Sequence, residues 1–170
     1  DYVDIGDVFY SDTLTVSFWI KADTVDGAQP KAIIVKRNGS GVTAGSNEFV
    51  AQLNTTRKIE WATWASGGAG IVNNVSNTAL DLGKWYHVAI TNGGSGSTSK
   101  IYINGLLDIT SASLGSAIGN TTSRLQIGAR QFSNDSTYFD GTIDEVKIYN
   151  YVRTGAQLAW DYSKGAPVGH

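Results

Sequence analysis

Leu14-Thr15-Val16-Ser17-Phe18-Trp19-Ile20-Lys21 decides the fold. Leu14, Val16, Phe18 and Ile20 occupy every second position, with Thr13, Thr15, Ser17 and Trp19 between them. A two-residue period puts the first set on one face of an extended strand and the second on the other. The same rhythm recurs outward from this segment. Ala32 to Lys36 is a short apolar run, Phe49, Ala51 and Leu53 alternate with polar neighbours, and Ile59, Trp61 and Thr63 resume after a turn at 54–57. Trp85 to Thr91 reads as a further strand. Ile101 to Ile103 and Leu106 to Ile109 flank Asn104-Gly105, the pair that supplies the positive φ angles of a tight hairpin. Leu125, Ile127 and Ala129 alternate with Arg124, Gln126, Gly128 and Arg130, and Ile143 to Tyr149 closes the series. Thr154-Gly155-Ala156-Gln157 has the Thr-x-x-Gln form of a reciprocal helix cap before Leu158 and Trp160. Nine or ten short strands with one apolar face each need two packed sheets. The expected fold is an all-β, two-sheet antiparallel sandwich over residues 1–164 with one short C-terminal helix, and 165–170 are expected to be a linker or the start of a following domain.

Composition removes several function classes. The 170 residues carry a net charge of -2 and only 16% charged residues, so a basic nucleic-acid surface is not expected. With no Cys there is neither thiol chemistry nor Cys-ligated zinc, and His87 and His170 alone cannot make a multi-histidine metal site. No apolar run approaches the length of a bilayer span, so no membrane insertion is expected. The chain starts at Asp1 and contains no Met, which reads as a piece cut from a longer polypeptide.

Six segments together carry a family resemblance: Tyr2-Val3-Asp4-Ile5, Leu14 to Lys21, Gly83-Lys84-Trp85-Tyr86-His87-Val88-Ala89, Ile101-Tyr102-Ile103-Asn104-Gly105, Leu125-Gln126-Ile127-Gly128, and Phe139-Asp140-Gly141-Thr142-Ile143-Asp144-Glu145-Val146-Lys147-Ile148-Tyr149-Asn150. In order and spacing they resemble the laminin-G-like, concanavalin A-like jelly-roll family, with Gly141-Thr142-Ile143-Asp144-Glu145-Val146 the most specific stretch. The resemblance implies a non-catalytic module of a secreted or cell-surface protein, often carbohydrate-binding, sometimes with calcium, and commonly repeated in tandem. The match departs at both ends. A strand usually precedes the Tyr-Val-Asp-Ile segment, and 165–170 resemble the lead-in to another copy. Glycosidases sharing the jelly roll carry a Glu-x-Asp-x-x-Glu arrangement that this sequence lacks.

The candidate ligand residues follow from parity. Trp61 and Trp64 are an odd number of positions apart and face opposite ways in an unbulged strand, and Ile59 draws Trp61 inward, leaving Trp64 outward with Lys58 and Glu60. An outward indole is either a platform for a sugar ring or a surface covered by a loop of the same domain. Arg124, Gln126 and Arg130 form a polar stripe opposite Leu125 and Ile127, able to read hydroxyls or carboxylates, or else to be solvated surface. Asn134, Asp135 and Tyr138 belong to the rim loop 132–138, the loop best placed for binding. Asp144 shares parity with Val146 and Ile148 and is expected to point inward, where either backbone amides or calcium would satisfy it, with Asp1 and Asp4 as companion ligands. Asp144 and Glu145, being adjacent, are expected to face opposite sides, which defeats a catalytic carboxylate pair. His87 is expected to be a hydrogen-bonded structural histidine rather than a base. Asn-x-Ser/Thr sequons start at Asn38, Asn54, Asn74, Asn120 and Asn134, marking either glycosylation or turn chemistry. The expected function is non-catalytic glycan binding within a larger secreted or surface protein. A spacer or adhesin domain contacting protein or neighbouring domains is the alternative, and a glycoside hydrolase or lyase ranks below both.

Overall fold

The computed structural model describes residues 1–8, 10–25, 27–37, 47–132 and 135–165, without the side chains of Gln131, Phe132, Asp135 and Ser136. Among the described residues the chain forms thirteen strands and one helix. The strands are β1 (Val3–Gly6), β2 (Thr13–Ala22), β3 (Lys31–Arg37), β4 (Asn47–Leu53), β5 (Lys58–Trp64), β6 (Gly70–Ala79) and β7 (Trp85–Gly93), then β8 (Thr98–Ile103), β9 (Leu106–Ser113), β10 (Leu125–Ile127), β11 (Ala129–Phe132), β12 (Asp135–Tyr138) and β13 (Gly141–Tyr149). The helix α1 covers Gly155–Lys164.

Two antiparallel sheets carry the fold. One has the order β1-β10-β3-β4-β5-β6 and the other β13-β2-β7-β8-β9, while β11 and β12 pair as a separate ladder. The alternation in β2 does what its period requires. Leu14, Val16, Phe18 and Ile20 are fully buried and meet Ile34, Phe49, Leu53, Ile59 and Trp61 from the facing sheet. Trp61 stacks on Phe49 with ring centroids 5.3 Å apart. Each of these side chains contributes roughly 1.5–3 kcal/mol by leaving water, which is why the two apolar faces cannot be separated.

The outer face of the five-stranded sheet is roofed by α1. Thr154 caps the helix reciprocally with Gln157, as the Thr-x-x-Gln pattern predicts. Leu158 packs fully buried against Ala89 and Tyr102, and Tyr162 stacks on Trp19 at 5.7 Å. The Asn104-Gly105 hairpin turn supports this roof. Gly105 sits at φ +75°, and a Cβ there would lie 3.0 Å from the Ala159 Cα. The turn therefore needs glycine both for its conformation and for the helix to approach.

His87 lies under the same roof, 3% exposed, 5.4 Å from the Trp19 ring. The expected hydrogen-bonded histidine is only half right. The His87 amide donates to Asn104 Oδ1 at 3.0 Å, but the ring Nδ1 has no partner. Burial, reinforced by Lys147 and opposed by Asp161, pushes its pKa down to about 4. Because the folded value lies below the ordinary value near 6.5, this group costs the fold nothing above pH 6.5 and progressively more as pH falls toward 4. Urea unfolding across that window should show about 3 kcal/mol of stability loss that is missing in His87→Phe once the two pH profiles are subtracted.

An ion pair is buried in the sandwich. Lys36 is fully buried, with Nζ 2.7 Å from Glu48 Oε1 and 3.1 Å from Asp7 Oδ1. Parity alone would turn Glu48 away from Lys36, but a register shift between Lys36 and Arg37 adds an extra residue to β4 at that point. The Thr121 amide and hydroxyl also approach Glu48 Oε1, at 2.9 and 2.8 Å. Removing one partner strands a buried charge, so Lys36→Met should lower the unfolding free energy by about 3–5 kcal/mol, and adding Glu48→Gln should recover part of it in urea titration.

Candidate functional site

With α1 covering one sheet, the outer face of the six-stranded sheet is where a groove opens. Its registers place Val35 beside Val50, Val50 beside Ala62 and Ala62 beside Asn73, while Gln52 stands opposite Glu60 and Trp64 opposite Gly70. A groove of about 490 Å³ is lined there by Arg37, Val50, Gln52, Glu60, Trp64 and Asn73, among others. The parity reading of β5 holds: Ile59 and Trp61 are buried in the core, while Trp64 is half-buried on the opposite face with Glu60. Trp64 packs against Ala32, Val35 and Val50, and the Arg37 guanidinium lies 5.4 Å from its ring centroid. The site is thus an aromatic surface flanked by one cation, one carboxylate and two amide side chains. That set suits a ligand with an apolar ring face and a rim of hydroxyls. Arg37, Gln52 and Asn73 were missed from the sequence. Gln52 was within reach, since it alternates with the inward Ala51 and Leu53.

The polar stripe is not what the sequence implies. β10 ends at Ile127, Gly128 adopts φ +80°, and Ala129 begins a different ladder, so Arg130 does not continue the line of Arg124 and Gln126. Gln126 and Arg130 are buried, at 4% and 8% exposure, and both are partnered. Arg124 remains exposed but binds Asp4, with Nε 2.9 Å from Oδ2. The segment expected to be a rim loop is largely the β11–β12 hairpin. Tyr138 is exposed at the end of β12 with its ring 6.4 Å from Tyr2, Asp135 lies in the same strand, and Asn134 falls outside the described residues.

Asp144 is exposed rather than inward. Asp144 pairs with Trp19 and Lys147 with Ser17, so Glu145 and Val146 together oppose Phe18 in a β-bulge, and Glu145 takes φ 49°. The extra residue reverses the parity on which the inward assignment rested. Val146 and Ile148 still pack on the core. The Asp144 carboxylate accepts from the Glu145 amide at 2.7 Å, and Glu145, also exposed, pairs with Lys147 at 2.7 Å. Asp4 is held below the usual carboxylate range: burial raises it, and the Gly6 amide, Arg124 and Gln126 outweigh that. Asp1 is exposed and lines a separate hollow with Tyr2, Phe139 and Ile143. Among the described residues no three acidic or histidine side chains come together, so Asp144, Asp1 and Asp4 do not converge on one point.

Of the sequons, Asn54 serves as turn chemistry, its Oδ1 accepting from the Thr56 and Lys58 amides. Asn74 is buried at 4% exposure with Nδ2 directed to the Ser99 carbonyl, Asn120 is exposed, and Asn38 and Asn134 fall outside the described residues. No described helix is long and apolar enough to cross a membrane.

Residues 1–159 match a laminin-G-type family of the concanavalin A-like lectin/glucanases superfamily, and the chain belongs to that family. No curated protein matches it. Among solved structures, the heptameric SAP-like pentraxin of Limulus polyphemus is 16% identical, with a TM-score of 0.65 over 89% of this chain and 70% of that one. Domain 4 of the extracellular arabinanase AbnA from Geobacillus stearothermophilus, solved with arabinotriose, is 17% identical, with a TM-score of 0.63 over 94% of this chain and 70% of that one. The receptor-binding domain of botulinum neurotoxin C/D mosaic serotype is 17% identical, with a TM-score of 0.69 over 97% of this chain and 40% of that one. At these identities the likeness shows the concanavalin A-like jelly roll, a fold that its neighbours use in binding domains.

Since Trp64 shields only a small apolar cluster from outside the core, Trp64→Ala should cost about 1–2 kcal/mol in urea unfolding, less than the roughly 3–5 kcal/mol expected for Trp61→Ala.

Proposed function

We propose that the chain is a non-catalytic carbohydrate-binding module of a secreted or cell-surface protein, and that its glycan stacks on Trp64 in the groove of the six-stranded sheet. The observation that carries the reading is the half-buried indole in a groove where three polar side chains, Gln52, Glu60 and Asn73, make no hydrogen bond or ion pair among the described residues. A sugar presents an apolar face to such a ring, and its hydroxyls need both donors and acceptors beside it. Glu60 is the sole acidic residue among the described groove residues, which gives no support to a two-carboxylate hydrolytic mechanism. The arabinotriose complex of the arabinanase domain supports the ligand class, and its extracellular setting supports the location.

A second reading, contact with protein, draws on Leu106, Leu107 and Trp160, exposed by 74%, 54% and 63%. One experiment separates the two. Glycan arrays followed by calorimetry on the folded domain should find a bound saccharide whose affinity falls at least tenfold in Trp64→Ala, with circular dichroism unchanged. Full affinity in Trp64→Ala, or silence across the array, would overturn the glycan reading. Reducing-sugar release from the bound polysaccharide would overturn its non-catalytic part.

A further inference from the structure

The groove has two unlike ends. Glu60, Ala62 and Trp64 lie on the same face of β5, and four residues at about 3.3 Å each separate the carboxylate from the indole by roughly 13 Å. Between them the floor is Val50 opposite Ala62, two small apolar side chains that are almost fully buried, with exposed Asn73 alongside. Along this face of β5 only Ala62 stands between Glu60 and Trp64. At the Trp64 end stands Arg37, and at the far end Gln52 and Glu60 face each other across the β4–β5 pair.

We propose that the groove binds a linear, neutral oligosaccharide of at least two units lying along β5, with Gln52 and Glu60 forming a second subsite that reads hydroxyls. This rests on the glycan-binding reading above and specifies its ligand. A single ring on Trp64 leaves the far end unused, whereas a chain reaches it across the Val50–Ala62 floor. Directly opposed residues of an antiparallel pair hold their Cβ atoms about 4.5–5.5 Å apart, so the two side chains address neighbouring hydroxyls. Gln52 supplies two N–H donors and an acceptor, and ionised Glu60 supplies acceptors only. An acidic sugar at this position would place a carboxylate against Glu60 in a groove partly screened from water, where like charges repel. Lys58 shares the Glu60 face but is not among the residues that line the groove.

The test is calorimetry with xylo-, arabino-, manno-, galacto- and cello-oligosaccharides of one to five units, and with galacturonic acid oligomers of the same lengths. In the neutral series that binds, affinity should rise at least tenfold between one and three units, and the galacturonate series should bind at least tenfold more weakly. The double variant Gln52→Ala, Glu60→Ala should flatten the length dependence to the single-unit level, Glu60→Gln should raise galacturonate affinity, and Trp64→Ala should remove binding at every length. Affinity independent of length, or equal for galacturonates, with Trp64 still required, would overturn the second subsite and leave the platform standing. Binding indifferent to Trp64→Ala, or no binding by any of these saccharides, would overturn the platform and the subsite together.

Discussion

Everything in this molecule depends on two apolar sheet faces being forced together. Phe18, Ile20, Val88 and Ile90 from one sheet and Ile34, Phe49, Ile59 and Trp61 from the other form one buried cluster between the sheets. Once that contact is made, every strand has a second face to dispose of. The two sheets dispose of it differently. The five-stranded sheet lays Trp19, His87, Ala89 and Tyr102 under α1, and accepts a buried imidazole with an unpartnered nitrogen as the consequence. On the six-stranded sheet, the outward side chains of β4 and β5 instead line a groove. The location of a ligand surface is in this sense a remainder, the face left over after the core and the helix have taken theirs.

Most of the core was legible because a two-residue period needs no knowledge of the partner. β2 states its inward face outright, and Ile59 beside Trp61 is enough to assign Trp64 to the outside. The hairpin at Asn104-Gly105 and the cap at Thr154 were equally readable, since each rests on backbone demands met by few residue types. β6 was not readable. Its sequence, Gly-Ile-Val-Asn-Asn-Val-Ser-Asn-Thr-Ala, holds no steady alternation, because an edge strand paired through two register shifts repeats no single face.

The two errors of orientation share one cause. Parity arguments assume that every residue advances the strand by one step, and a bulge breaks that count. At Glu145-Val146 the extra residue turns Asp144 outward, and at Gly128 the chain leaves its line altogether so that Arg130 joins another ladder. Gly128 and the acidic pair Asp144-Glu145 are both in the sequence, but neither residue type by itself separates a bulge from an ordinary strand position. A carboxylate assigned inward from alternation alone is therefore least secure beside a residue able to take positive φ, which is where the inward assignment of Asp144 failed.

The same packing that partly buries Trp64 also prepares it. A fully exposed indole is free to change rotamer, and a ligand must stop it. Here the ring packs against the Ala32, Val35 and Val50 cluster and has the Arg37 guanidinium 5.4 Å from its centroid, so its orientation is already set by the fold. Gln52 and Glu60 project from paired strands rather than from a loop, which fixes their spacing to the sheet register. A ligand that fits therefore meets groups already in place and loses little of its interaction energy to ordering them, while one whose hydroxyls fall out of step with that register gains nothing from adjustment. Rigidity of this kind converts the repeat of a β-sheet into a ruler, and it is the fixed spacing along β5, more than the identity of any one side chain, that favours a chain of sugars over a single one.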